Sequence, residues 1–160
     1  TSMVTESVMI SLMIAASRLS GLPAIPAEQM SAVKTISQAE IIAMQCPDDP
    51  EECSNIVAFY EIKNNTIFLK NTLDLETTIG QSFLLHEMVH VLQHKAFGSD
   101  IFDDCDNTVR SERLAYAVQN KFLINNGLFD RFGDSLAFMT CSNTQDAKQG
   151  NIKIEPILVK

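Results

Sequence analysis

His86, Glu87 and His90 stand in the stretch "LLHEMVHVLQH", which also contains His94, the last of the three histidines in the chain. Two imidazoles four residues apart, with a carboxylate directly after the first, can do metal chemistry if the stretch is helical. Four residues advance a helix by about 400° and about 6 Å, so both Nε2 atoms can reach one ion from the same face. Glu87 then flanks that face, placed to take a proton from a water that the ion activates. With only three histidines in 160 residues, an accidental H-E-x-x-H is rare.

A catalytic zinc takes three protein ligands and leaves a fourth position for water. His94 is the nearest further candidate. It lies about 12 Å along the axis from His86, however, and a straight helix cannot bring three such rings to one tetrahedral centre. The extended motif of the metzincins requires glycine at position 93 and histidine at position 96, where this chain has Gln93 and Ala96. The expected third ligand is Glu112, in "VRSERLAYAVQNKFL", carried by a second helix packed against the first and completing a His86, His90, Glu112 zinc site. Asp103, Asp104 and Asp106 are rival carboxylates, better suited to facing solvent or capping the following helix. His94 is expected to face the negative end of its helix dipole or to cap a carbonyl.

"HEMVH" with a downstream "ERLAY" helix resembles the gluzincin zinc metallopeptidases, the class of the thermolysin-like enzymes and the small minigluzincins. More narrowly, "IVAFYEIKNNTIFL", "LLHEMVHVLQ" and "ERLAYAVQNKFL" are similar to short bacterial secreted proteins with H-E-x-V-H-x-x-Q and E-x-x-A-Y-x-x-Q segments. The resemblance covers about Val57 to Leu123, and H-E-x-x-H is its only highly specific part. It implies zinc-dependent peptide hydrolysis, with His86, His90 and Glu112 as ligands and Glu87 as general base and proton shuttle. It also implies that a hairpin strand borders a cleft where an extended peptide substrate adds as another strand. Two departures follow. Thermolysin-like enzymes place an aspartate four residues after the ligand glutamate, where this chain has Tyr116, and they use a downstream histidine at the oxyanion, whereas no histidine follows His94. Tyr116, one turn from Glu112, or Tyr60 is expected to donate that hydrogen bond, with half-buried core packing as the other role open to either. A catalytically inactive, zinc-bound binding or scaffold protein of the same fold is the competing expectation.

The elements that must position these residues are legible in outline. The leucines, valines and phenylalanine around the histidines favour a long buried helix from Glu76 or later to about Lys95, and a second helix is expected from Thr108 to Asn125, ended by Asn126-Gly127. Val4, Val8, Leu12 and Ala15 or Ala16 recur at helical spacing up to Leu19, and Gly21 with Pro23 stops that first helix. "GLPAIPAE" reads as an extended connector, followed by a short strand around Ala32 to Ile36. Ser37 and Glu40 have capping-box spacing, giving a helix from about Gln38 to Gln45. The acidic "CPDDPEEC" should be a solvated loop. "IVAFYEIKNNTIFLKN" is a hairpin about Asn64-Asn65, residues that tolerate a type I′ turn, with Ala58, Tyr60 and Ile62 on one face of its first strand and Ile67 and Leu69 on one face of its second. "FDRFGDSLAFMTC" and the alternating "NIKIEPILVK" suggest a short helix and a terminal strand or tail. The expected fold is α+β and zincin-like, a small sheet or hairpin packed on an active-site helix and a glutamate helix in one domain spanning 1–160.

Composition narrows the partners. Twenty acidic against 12 basic residues, net −8, with no local basic patch, argue against nucleic acid. The longest apolar run, "VMISLMIAA", is far below the roughly 20 residues that span a bilayer, so no membrane span is expected. Glu6 stands where a signal peptide would carry positive charge, and the segment is read as folded chain after removal of an upstream signal. The four cysteines allow three complete pairings; Cys46 with Cys53 and Cys105 with Cys141 is the expected one, four free thiols in a cytosolic protein the alternative. Without a CxxC pair, a thiolate zinc cage is disfavoured. A secreted or periplasmic protein with a peptide or protein substrate is the resulting expectation.

Overall fold

Thr5 opens the first helix, its hydroxyl accepting the Val8 N–H, and α1 runs over Glu6–Ser20. Gly21, at φ 78°, ends it by returning its N–H to the Ser17 carbonyl. A computed structural model describes residues 5–141 of the chain. β1 (Ala32–Ile36) and α2 (Gln38–Gln45) lie where the sequence puts them, and both halves of the capping box form: Glu40 N–H donates to Ser37 Oγ and Ser37 N–H to Glu40 Oε1, each at 3.1 Å. The acidic loop after α2 is exposed between its ends and closed by the Cys46–Cys53 disulfide.

β2 (Ala58–Glu61) and β3 (Thr66–Lys70) form the hairpin. Its turn is not the two-residue type I′ turn suggested by Asn64-Asn65. Asn65 alone takes a positive φ, 49°, and its N–H returns to the Ile62 carbonyl at 3.1 Å, so the reversal spans Ile62 to Asn65. Asn65 is fastened there because Ser31 Oγ and the Tyr60 hydroxyl both donate to its Oδ1, at 2.6 and 3.0 Å. β1 joins β3 in parallel, giving the order β1-β3-β2. Ala58, Tyr60, Ile67 and Leu69 face the main core as expected. The opposite face is covered too: Ile36, Phe59 and Phe68 meet Ile41, Ile56 and the Cys46–Cys53 pair in a smaller second core that the sequence did not announce.

α3 (Thr78–Phe97) is capped by Thr77, and its residues from Ser82 to Gln93 are buried without a break. α1, α4 (Cys105–Asn125), β2 and β3 all contact it, and a helix enclosed on every side has no use for a polar stripe. Complete burial of Leu84, Leu85 and Leu92 contributes about 1.5–3 kcal/mol each, so leucines hold the histidine helix in place. α4 starts three residues before the predicted Thr108 because Asp104 caps it, accepting the Asn107 N–H at 2.8 Å.

Beyond Asn126-Gly127 the chain returns along α4. The Asn120 amide pairs with both the N–H and the carbonyl of Phe132, at 2.9 and 3.0 Å, Phe132 packs on Phe83, and Gly133 lies against the Tyr116 ring. A 3-10 turn at Asp134–Phe138 stands in the place of the expected short helix, and Cys141 is bonded to Cys105 at the start of α4. The strand or tail expected in "NIKIEPILVK" lies outside the described residues. Among those residues the fold is α+β, four α-helices with a three-stranded mixed sheet, and no helix is long and apolar enough to cross a membrane.

Candidate metal centre

α3 presents His86 and His90 to α4 on one face, as four-residue spacing requires, and α4 answers with Glu112. The three ligand atoms lie within 4.8 Å of one another. His86 Nε2 is 3.3 Å from His90 Nε2 and 3.2 Å from Glu112 Oε1, and His90 Nε2 is in direct contact with the same oxygen. Both imidazoles are fully buried and Glu112 is 6% exposed.

The far nitrogens of the two rings explain which atoms point inward. His86 Nδ1–H donates to Gln119 Oε1 and His90 Nδ1–H to Gln93 Oε1, both at 2.8 Å. The amides themselves are oriented: Gln93 Nε2 donates to the Ser111 carbonyl at 3.0 Å, and Gln119 Nε2 to Ser82 Oγ at 3.1 Å, while the Ser82 hydroxyl donates to the Ile79 carbonyl. With each Nδ1 proton committed, both neutral rings turn a lone pair on Nε2 toward a carboxylate that also offers only lone pairs. Three acceptors this close require a cation among them. Two imidazole nitrogens and one carboxylate oxygen are a donor set that a zinc-like divalent ion takes, so His86, His90 and Glu112 can hold a metal ion.

In the metal-free protein a proton on His90 serves instead. Burial alone would depress this imidazole, but the adjacent Glu112 carboxylate pushes it up to about 9. Glu112 would be raised by burial, yet the charges of His90 and His86 hold it at about 2. Glu87, 1% exposed, is driven up to about 7 by burial; the two imidazoles offset this only partly and the Glu112 charge adds to it. Its Oε2 is buried without a hydrogen-bond partner. Glu87 is thus an ionisable carboxyl next to a ligand, poised near neutrality with one oxygen unmatched.

The remaining sequence candidates separate. Tyr116 sets its ring edgewise to His86, centroids 4.4 Å apart, beneath Gly133. Tyr60 is engaged elsewhere, its hydroxyl between Asn65 Oδ1 and His94 Nδ1, each at 3.0 Å. His94 sits in the last turn of α3 as expected, but its ring nitrogen binds this tyrosine and ties the helix end to the sheet. Asp104 is the α4 cap, and neither Asp103 nor Asp106 joins the three ligands. Gln93, Gln119, Ser82 and Ser111 were not singled out for a role by the sequence; the available signal was an amide three residues after His90 and another seven after Glu112, both in apolar helices.

Among protein-family models, curated proteins and solved structures, none matches the chain.

Proposed function

We propose that this chain is a zinc-dependent peptidase that hydrolyses peptide bonds with Glu87 as general base. The observation that carries the reading is the buried convergence of His86, His90 and Glu112 beside a carboxyl whose Oε2 has no partner. A divalent metal, when bound, supplies a Lewis acid that makes water nucleophilic near neutral pH and polarises a carbonyl. His86 and His90, through Nε2, and Glu112, through a carboxylate oxygen, would hold the metal. Glu87 accepts the proton as the water oxygen bonds to the peptide carbon, then delivers it to the amide nitrogen as the C–N bond breaks. Tyr116, beside His86, donates its hydroxyl to the oxyanion. The two disulfides support a secreted or periplasmic setting.

One observation favours a second reading, a zinc-bound binding or scaffold protein without turnover: none of the three ligands nor Glu87 is more than 6% exposed. Purified protein should hold one zinc and cleave a peptide library. Glu87→Gln should keep the zinc and lose about 10²–10⁴-fold in turnover. Absence of stoichiometric metal, or full activity in that variant, ends the peptidase reading. Bound zinc without cleavage, with unfolding on chelation, selects the scaffold.

A further inference from the structure

Each glutamine at the centre makes two contacts, and together they stitch α3 to α4. Gln93, on α3, takes the proton of His90 on its own helix and gives its N–H to the carbonyl of Ser111, the residue before Glu112 on α4. Gln119, on α4, reaches across to α3 with both ends, accepting from His86 and donating to Ser82. All four of these groups are buried, Gln93 at 1% and Gln119 at 0% exposure, so no water substitutes for a lost partner without rearrangement. The ring direction of each histidine is thereby set by the same bonds that set the separation of the helices. Ligand histidines are commonly oriented by carboxylates, which make the imidazole more basic. Two neutral amides orient without adding negative charge to a centre that already contains Glu112 and Glu87.

We propose that Gln93 and Gln119 are positioning residues for a bound metal, neutral amides that hold the tautomer and direction of His90 and His86 and make metal affinity depend on the docking of α3 against α4. The inference rests on the metal-binding half of the peptidase reading and not on hydrolysis. The partners of the amide nitrogens distinguish the two positions. Ser82 has a hydroxyl that can turn its hydrogen toward a new acceptor, whereas the Ser111 carbonyl has no hydrogen to give. A glutamate at position 119 keeps its bond to His86 and regains one to Ser82 once that hydroxyl turns its hydrogen from the Ile79 carbonyl, and it adds basicity to His86. At position 93 it sets two acceptors against each other.

Titration of the metal-free full chain with Co²⁺ alone, followed by its visible absorption bands, tests this without any peptide. Gln119→Leu and Gln93→Leu should each weaken Co²⁺ binding about 10–100-fold and shift the bands. Gln119→Glu should restore binding to at least the level of the unaltered chain, and Gln93→Glu should not. Thermal melting in EDTA checks that each variant folds. Where a leucine variant does not fold, Gln119→Asn or Gln93→Asn, which retracts the amide by one methylene, takes its place. Equal Co²⁺ affinity in the unaltered chain and in the leucine or asparagine variants overturns the proposal, as does rescue by glutamate at 93 but not at 119. If the unaltered chain binds no Co²⁺, this proposal and the peptidase reading fall together. If it binds in the order given but cleaves nothing, only the peptidase reading falls.

Discussion

His90 can carry a proton or bind a metal, but not both through the same nitrogen, and this sets opposite pH slopes for the two forms. Without metal, its raised folded pKa of about 9 means that its stabilising contribution is complete below the unfolded value near 6.5 and is lost as the pH rises through 9. Glu112, lowered to about 2 from 4.5, contributes above 4.5 and loses that contribution as the pH falls through 2. Glu87, raised to about 7, loses stability as the pH rises from 4.5 through 7. The metal-free protein should therefore melt at a lower temperature at pH 9 than at pH 6. Zinc must displace the His90 proton, so its affinity should rise over the same interval. Calorimetric melting with EDTA or zinc at both pH values checks this, and a zinc-induced shift that shrinks toward pH 9 would contradict it. Of the site, His86, Glu87 and His90 were legible because their spacing is a property of one helix. Glu112 required the further step of one helix packing on another. Gln93 entered the sequence argument as a mismatch to glycine and as the last position of the H-E-x-V-H-x-x-Q segment, without a role, since nothing local says that its nitrogen meets Ser111 eighteen residues on.

Gly133 shows how a neighbouring segment can act on the centre. It has φ 79°, and a Cβ added there would enter the ring of Tyr116, which rests against His86. Gly21, at φ 78° with nothing within 4 Å, offers a control with the same backbone demand and no collision. Gly21→Ala should cost about 1–2 kcal/mol from the left-handed conformation alone. Gly133→Ala should add about 1–3 kcal/mol for the clash, measured as a lower urea midpoint, and should weaken zinc binding, which Gly21→Ala should leave unchanged. Equal effects of the two variants would mean that Tyr116 yields freely and does not transmit the strain. The start of α2, set by the local Ser37–Glu40 box, was readable to the residue, whereas the Asp104 cap begins α4 three residues before the expected Thr108. The parallel β1–β3 pairing was not readable, because it joins residues more than thirty positions apart, as Ala32 and Thr66 are, and the second core was not, because it forms only when α2 and the disulfide loop fold over the sheet.

The two cross-links act over very different lengths of chain. Cys105 and Cys141 are 36 positions apart, and closing a loop of that size in the unfolded chain corresponds to about 4 kcal/mol on an entropic account. The paired change Cys105→Ser with Cys141→Ser should lower unfolding stability by about 2–4 kcal/mol in denaturant titrations, against less for the seven-residue separation of Cys46 and Cys53. An equal loss from both pairs would put the effect in packing. The sheet itself carries a last consequence. Its two faces belong to separate cores, with all three ligands on the helix side and α2 with the Cys46–Cys53 loop on the other. The smaller core is thus free to open as a cooperative unit of its own. In deuterated buffer, the amides of α2 should exchange at a rate indifferent to zinc, while those of α3 around His86 and His90 should slow by orders of magnitude when it binds. A chain built this way can lose and regain one side of its sheet while His86, His90 and Glu112 stay where they are.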